Sequence, residues 1–132
     1  MKVIIAGSRS ITDFEVIKTA IDSCPFTITE VVSGGAKGVD LLGEKYAGEE
    51  DIPISVFKPL WNDLEAPGAI VKVNRYGKYN AKAGIDRNEK MGDYADALIA
   101  VWDGFSKGTR HMIKYMEDLE KEVYIYDLLE KE

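Results

Sequence analysis

The chain has 132 residues, of which 45% are hydrophobic and 30% charged, with a formal net charge of −6. That suffices for one core of ordinary soluble composition and is too short for two domains. No apolar run approaches bilayer length, the opening MKVIIAG is too short for a signal peptide and Cys24 has no partner for an internal disulfide, so a cytoplasmic, membrane-free setting is expected.

Val3 to Ala6 reads as a first apolar strand and runs directly into Gly7-Ser8-Arg9-Ser10. Thr12 with Glu15 three residues on has the form of a capping box, so a helix is predicted from about Asp13, with Phe14, Ile17 and Ile21 inward and Pro25 as its stop. Glu30 to Ser33 is the second strand. It leads into Gly34-Gly35-Ala36-Lys37-Gly38-Val39-Asp40, where closely spaced glycines permit a tight turn or close approach of a ligand to the backbone. A second helix carries Val39, Leu42, Tyr46 and Ala47 on one side, and Ile54 to Phe57 is a third strand ended by Pro59.

Leu60 to Asn80 reads as a long connection containing Trp61, Tyr76 and Tyr79, with Ala69 to Val73 able to pair as a small extra strand. Ala81 to Tyr94 is predicted helical despite Gly84 and Gly92, and carries Asp86, Arg87 and Asn88 together. Ala97 to Trp102 is a wholly apolar run of the kind covered on both sheet faces. Behind it come Asp103-Gly104-Phe105-Ser106-Lys107-Gly108-Thr109, a helix to about Glu120 with Met112, Ile113, Met116 and Leu119 on one face, a last strand at Val123 to Tyr126, and an acidic tail.

Strands alternating with helices predict a Rossmann-like three-layer α/β fold with a mainly parallel five-stranded sheet in the order 3-2-1-4-5. In such a sheet the loops after strands one, two and four share the carboxyl edge, and a crevice opens where the winding reverses. Strand, glycine loop and helix start together aim backbone N–H groups and a positive dipole end at one spot, the natural place for a phosphate. Charge agrees with an anionic guest. Residues 117–132 hold seven acids against two lysines, whereas residues 58–90 hold seven basic side chains against four acids. A solvated polar surface is the plainer reading of that basic segment. A long nucleic acid is disfavoured, since it calls for a larger basic face.

The runs GSR after strand one, SGGAKGVD after strand two, RYGKYNAKAGIDRNEKM and YADALIAVWDGFSKGT resemble the YspA-type (cpYpsA-related) branch of the SLOG superfamily, which also includes the Lonely Guy phosphoribohydrolases and the DNA-processing protein DprA. The resemblance extends from Lys2 to about Tyr126 and implies one SLOG-like domain over residues 1–132, with 63–74 as an insertion, and a nucleotide or nucleotide-derived ligand at the carboxyl edge. By position it implies ligand contacts from Gly7, Ser8 and Arg9, from Gly34, Gly35, Ala36, Gly38 and Asp40, from the pair Arg87 and Asn88, and from the last loop at Gly104, Ser106, Lys107, Gly108 and Thr109. The chemistry is consistent: amides and the Ser106 and Thr109 hydroxyls donate to phosphate oxygens, and Arg9 and Arg87 offer permanently charged forks. Asp40 either accepts ribose hydroxyls or caps the second helix. Trp61 is the candidate for stacking on a base, while Trp102 ends a buried strand and reads as core.

One departure bears on activity. Lonely Guy enzymes carry Gly-Thr, two residues, then Glu, whereas Gly108-Thr109-Arg110-His111 is followed here by Met112. The carboxylate that serves cleavage of an N-glycosidic bond is missing, and enzymatic function is left open. His111, the only histidine, reads as a surface or cap residue. No HExxH, cysteine cluster, acidic metal loop or GxxxxGK[ST] is present, so neither a protein-held metal, a cofactor nor a P-loop NTPase is expected. The expectation is a protein that senses or sequesters a nucleotide-like small molecule, with a nucleotide-cleaving hydrolase and a DprA-like binder of single-stranded nucleic acid as alternatives. A homo-oligomer is expected, because the edges of a small sheet need cover.

Overall fold

Ile4 and Ile5 are adjacent and both fully buried, yet they belong to different halves of the core. Side chains alternate across a strand, so this is only achieved where both faces of the sheet are covered. The computed structural model, which describes residues 1–128, shows how. Strand β1 (Lys2–Gly7) sits at the centre of a five-stranded, wholly parallel sheet with β2 (Glu30–Ser33) and β3 (Ile54–Val56) on one side and β6 (Ala97–Trp102) and β7 (Glu122–Asp127) on the other. The spatial order β3-β2-β1-β6-β7 is the predicted 3-2-1-4-5 once the sheet strands alone are counted. Val3, Ile5, Val31 and Ile99 face α1 (Phe14–Ser23) and α2 (Val39–Glu49). Ile4, Val32, Leu98 and Ala100 face α3 (Ala83–Tyr94) and α4 (Lys107–Asp118). The result is a three-layer Rossmann-like α/β fold.

Three local expectations are revised. Helix α1 is capped by Asp13 and not by Thr12: the Asp13 carboxylate accepts the Glu15 N–H at 3.0 Å from an extended backbone that hands directly into the first turn. The third helix begins at Ala83 and not Ala81, because Asn80 Oδ1 holds the Lys82 N–H at 3.0 Å ahead of its first turn. The long connection, where one small strand is expected at Ala69 to Val73, holds two. It contains an antiparallel hairpin of β4 (Val71–Asn74) and β5 (Gly77–Asn80), turned at Arg75 and Tyr76. The second strand has no signature because its residues GKYN are polar or glycine apart from Tyr79 and carry no buried alternation. The distal end of the acidic tail lies outside the described residues. Among the described residues no helix is long and apolar enough to cross a membrane.

Candidate functional site

With β1 paired to β6, Gly7 stands opposite Val101 and the loops that follow both strands leave the sheet side by side. Ser8 joins them. Its N–H donates to the Val101 carbonyl at 3.2 Å and its hydroxyl accepts the Asp103 N–H at 3.2 Å. Asp103 then folds its own loop, accepting the N–H groups of Phe105 and Ser106 at 2.8 and 3.0 Å, and these bonds hold its carboxyl below the usual range. Two amides of the last glycine loop are therefore spent internally. Ser106 caps α4: its hydroxyl oxygen accepts the Thr109 N–H at 3.5 Å and the Thr109 hydroxyl at 3.1 Å, so the Ser106 proton remains to be donated elsewhere. The N–H groups of Lys107 and Gly108 open the helix and have no intrahelical acceptor.

The loop after β2 packs against the loop after β1. At Gly38 the backbone has φ 80°, and a Cβ there would lie 2.6 Å from the carbonyl oxygens of both Ser8 and Arg9. Its glycine thus serves contact between loops. Gly38 is also the N-cap of α2 and supplies no side-chain bond, so Asp40 does not cap the helix. Asp40 instead reaches back from the first turn and accepts the Ala36 N–H at 3.3 Å. It is 7% exposed, and that burial pushes its pKa up to about 6 against the opposing pull of the Ala36 N–H and Arg87.

Helix α3 supplies the third wall. Arg87 donates from Nη1 to the Gly34 carbonyl at 2.6 Å and from Nε to Asn88 Oδ1 at 3.0 Å. Asn88 Nδ2 in turn donates to the Gly108 carbonyl at 3.3 Å. The Arg-Asn pair thereby ties the β2 loop to the start of α4. Burial lowers the Arg87 pKa while Asp40 opposes the shift and Arg9 adds to it. His111 lies 3.4 Å from Asn88 Nδ2 and 3.8 Å from Glu89, outside the cleft lining.

These walls enclose a cleft of about 440 Å³ at the switch point. Gly7, Ser8 and Arg9 line one side, Ala36 and Asp40 another, with Arg87, Asn88, Ser106, Gly108 and Thr109 completing it. Gly34, Gly35 and Trp61 line an adjoining depression of about 470 Å³ that shares Arg9, Ala36 and Arg87 with the cleft. Gly38, Gly104 and Lys107 line neither. Met91, Met112, Ser10 and Asp103 also line the cleft and were not selected as site residues from sequence. The two methionines gave only a helical apolar stripe, the signal of plain core; Met112, 1% exposed, lines the cleft with its buried thioether chain. Among the described residues no group of three or more His, Cys, Asp and Glu is placed to hold a metal ion.

Residues 1–63 match the model of the YspA, cpYpsA-related SLOG family. The match takes in the loops after β1 and β2 and ends where the chain leaves the sheet towards the hairpin; the assignments at Arg87, Asn88 and the loop after β6 lie beyond it. No curated protein and no solved structure matches the chain.

Proposed function

We propose, from the match of residues 1–63 to the YspA, cpYpsA-related SLOG family and the nucleotide-related ligand binding or processing that it suggests, that the switch-point cleft binds a nucleotide or nucleotide-derived ligand in order to sense or sequester it. The observation that carries this reading is the pairing of like charges. Arg9 and Arg87 line the same cleft and the same adjoining depression, and Arg9 adds to the lowering of the Arg87 pKa that burial begins and Asp40 opposes. An anion seated between them and the opening amides of α4 opposes that lowering. The Gly108 N–H and the Ser106 hydroxyl are the remaining donors on the cleft wall. Sensing is favoured over cleavage because a buried thioether, Met112, stands where glycosidic cleavage needs a carboxylate. The single domain is proposed to include the hairpin excursion, and its sheet edges to be covered by a second copy.

The test is thermal and chemical denaturation against a nucleotide panel. A ligand at a hundredfold excess over its dissociation constant adds about 2.7 kcal/mol. Arg87→Ala and Gly108→Asp should abolish that gain. Gly108→Asp is the cleaner variant, since a Cβ at Gly108 meets nothing within 4 Å and the fold has room for the added carboxylate. Unchanged binding in both variants rejects the site. Release of free base from a nucleoside monophosphate would make the protein a hydrolase. Sedimentation equilibrium reads the second copy.

A further inference from the structure

The cleft is one end of a longer groove. Arg9 lines it, lines the depression over β2 with Lys37, Lys58 and Trp61, and lines a third depression of about 500 Å³ between Trp61 and the hairpin, where Tyr76, Lys78 and Tyr79 form the far wall. We propose that this groove takes a nucleotide bearing a phosphoanhydride chain of two or more phosphates, the chain crossing Arg9, Lys37 and Lys58 and the base stacking at Trp61 against the hairpin. The assignment rests on the nucleotide reading above and adds to it the ligand's class and a separate subsite for the base.

Charge carries the first half of the argument. The two outer depressions are lined by Arg9, Lys37, Lys58, Lys78 and Arg87 and by no carboxylate, in a chain of net charge −6. Residues 66–85, which contain the hairpin, hold four cations and no acid. The side chains of Arg9, Lys37, Lys58 and Lys78 make no hydrogen bond or ion pair with any described residue, although Arg9 lies near enough to Asp40 to favour that carboxylate. A monophosphate satisfies one or two such cations; a row of them suits an extended chain of phosphates.

The second half is the fixing of Trp61. Its carbonyl accepts the Asn80 N–H at 2.7 Å, its ring meets Tyr79 edge-on at 6.4 Å and 70°, and its outer ring edge reaches Gly84, where a Cβ would lie 3.3 Å away. Asn80, 1% exposed, holds this frame by accepting the Ile70 and Lys82 N–H groups at 3.2 and 3.0 Å. An indole braced on its edges, yet 38% exposed and lining both outer depressions, is a stacking platform that needs no ordering on binding. A nucleotide fits better than a nucleic-acid strand. The groove ends at the switch-point cleft, where Asp40 and Asp103 meet whatever enters and disfavour a continuing chain of phosphates.

The test is calorimetry and tryptophan emission with the mono- and diphosphates of adenosine, guanosine, cytidine and uridine, inorganic pyrophosphate as competitor, and an eight-nucleotide oligothymidylate. The proteins are wild type, Trp61→Ala, Trp61→Phe and Arg9→Ala. We expect at least one diphosphate to bind about tenfold tighter than its monophosphate and to quench emission, and pyrophosphate to compete with it. Trp61→Ala should weaken the nucleotide about tenfold without weakening pyrophosphate, Trp61→Phe should restore most of the loss, and Arg9→Ala should weaken both. Nucleotide binding that is unaltered in Trp61→Ala, or equal for mono- and diphosphates, overturns this inference while leaving the nucleotide reading intact. No nucleotide binding by the wild type overturns both. Oligothymidylate bound more tightly than every diphosphate overturns it in favour of a strand.

Discussion

The Nη1 of Arg87 donates to the carbonyl oxygen of Gly34 at 2.6 Å across 53 residues of sequence, and this bond closes the cleft between the β2 loop and α3. Gly34 is glycine for that reason. A Cβ there would lie 2.5 Å from Arg87 Nη1 and 2.7 Å from Asp40 Oδ2, so no side chain fits without displacing one member of the charged pair. The crowded atoms are the ends of flexible side chains, so Gly34→Ala is expected to cost no more than about 1 kcal/mol of stability as they shift. It should also lower nucleotide affinity at least about tenfold, since the guanidinium loses its fixed position. Urea titration and calorimetry on the same variant check both. A fully stable variant with wild-type affinity means that Arg87 does not depend on this bond.

Asp40 gives the site a pH dependence of definite sign. Burial raises its carboxyl from 3.8 to about 6 in the folded chain. Between those values the folded state keeps a proton that the unfolded state has lost. The Asp40 contribution is therefore most favourable below pH 3.8, declines as pH rises through 6, and is constant above. Asp40→Asn cannot titrate. Its stability relative to wild type should rise between pH 4 and pH 7 by an amount on the order of 3 kcal/mol at most. Denaturation at four pH values across that range measures the difference, and a difference independent of pH contradicts the buried-carboxylate account.

Much of this architecture was legible in the sequence, for identifiable reasons. Apolar runs such as Ala97 to Trp102 declare strands covered on both faces, and their alternation with amphipathic helices fixes a parallel sheet and its carboxyl edge. The crevice beside Gly7 and Gly108 follows from that topology. What could not be read was which amides stay open. Asp103 consumes two of them through an Asx turn, and Gly38 packs one loop on another; both bear the residue types of a phosphate loop. The hairpin was half visible for a different reason. Its strands bury almost nothing, so the pattern that marks a strand, alternate burial, is absent.

Asn80 is expected to be the latch of that hairpin. Its buried Oδ1 serves two backbone donors, Ile70 N–H and Lys82 N–H, that flank the excursion on either side. Asn80→Ala leaves both without that acceptor and should cost about 1–3 kcal/mol locally. Trypsin has sites at Lys72, Arg75, Lys78 and Lys82. Cleavage there should accelerate at least about tenfold in the variant, by the opening equilibrium that such a loss implies, while sites in the sheet and helices stay protected. Equal cleavage rates in the two proteins would show that the hairpin is held by other contacts.

Asp103 separates the needs of the fold from those of an anion. Its carboxylate stabilises the loop after β6 by accepting two N–H groups, and it also places a negative charge on the wall of the cleft. Asp103→Ala should lower stability by about 1–2 kcal/mol. The folded carboxyl titrates below its ordinary value of 3.8, so its contribution is present above that pH and disappears as the solution is acidified through the folded value, where variant and wild type converge. Binding should move the other way. Removing the charge and releasing the Phe105 and Ser106 amides beside the start of α4 is expected to tighten pyrophosphate several-fold at pH 7. Calorimetry in low salt measures it, with urea denaturation of the same sample as the control. A variant that loses stability and loses pyrophosphate affinity together would show that Asp103 organises the anion site, and that the freed amides do not turn towards it.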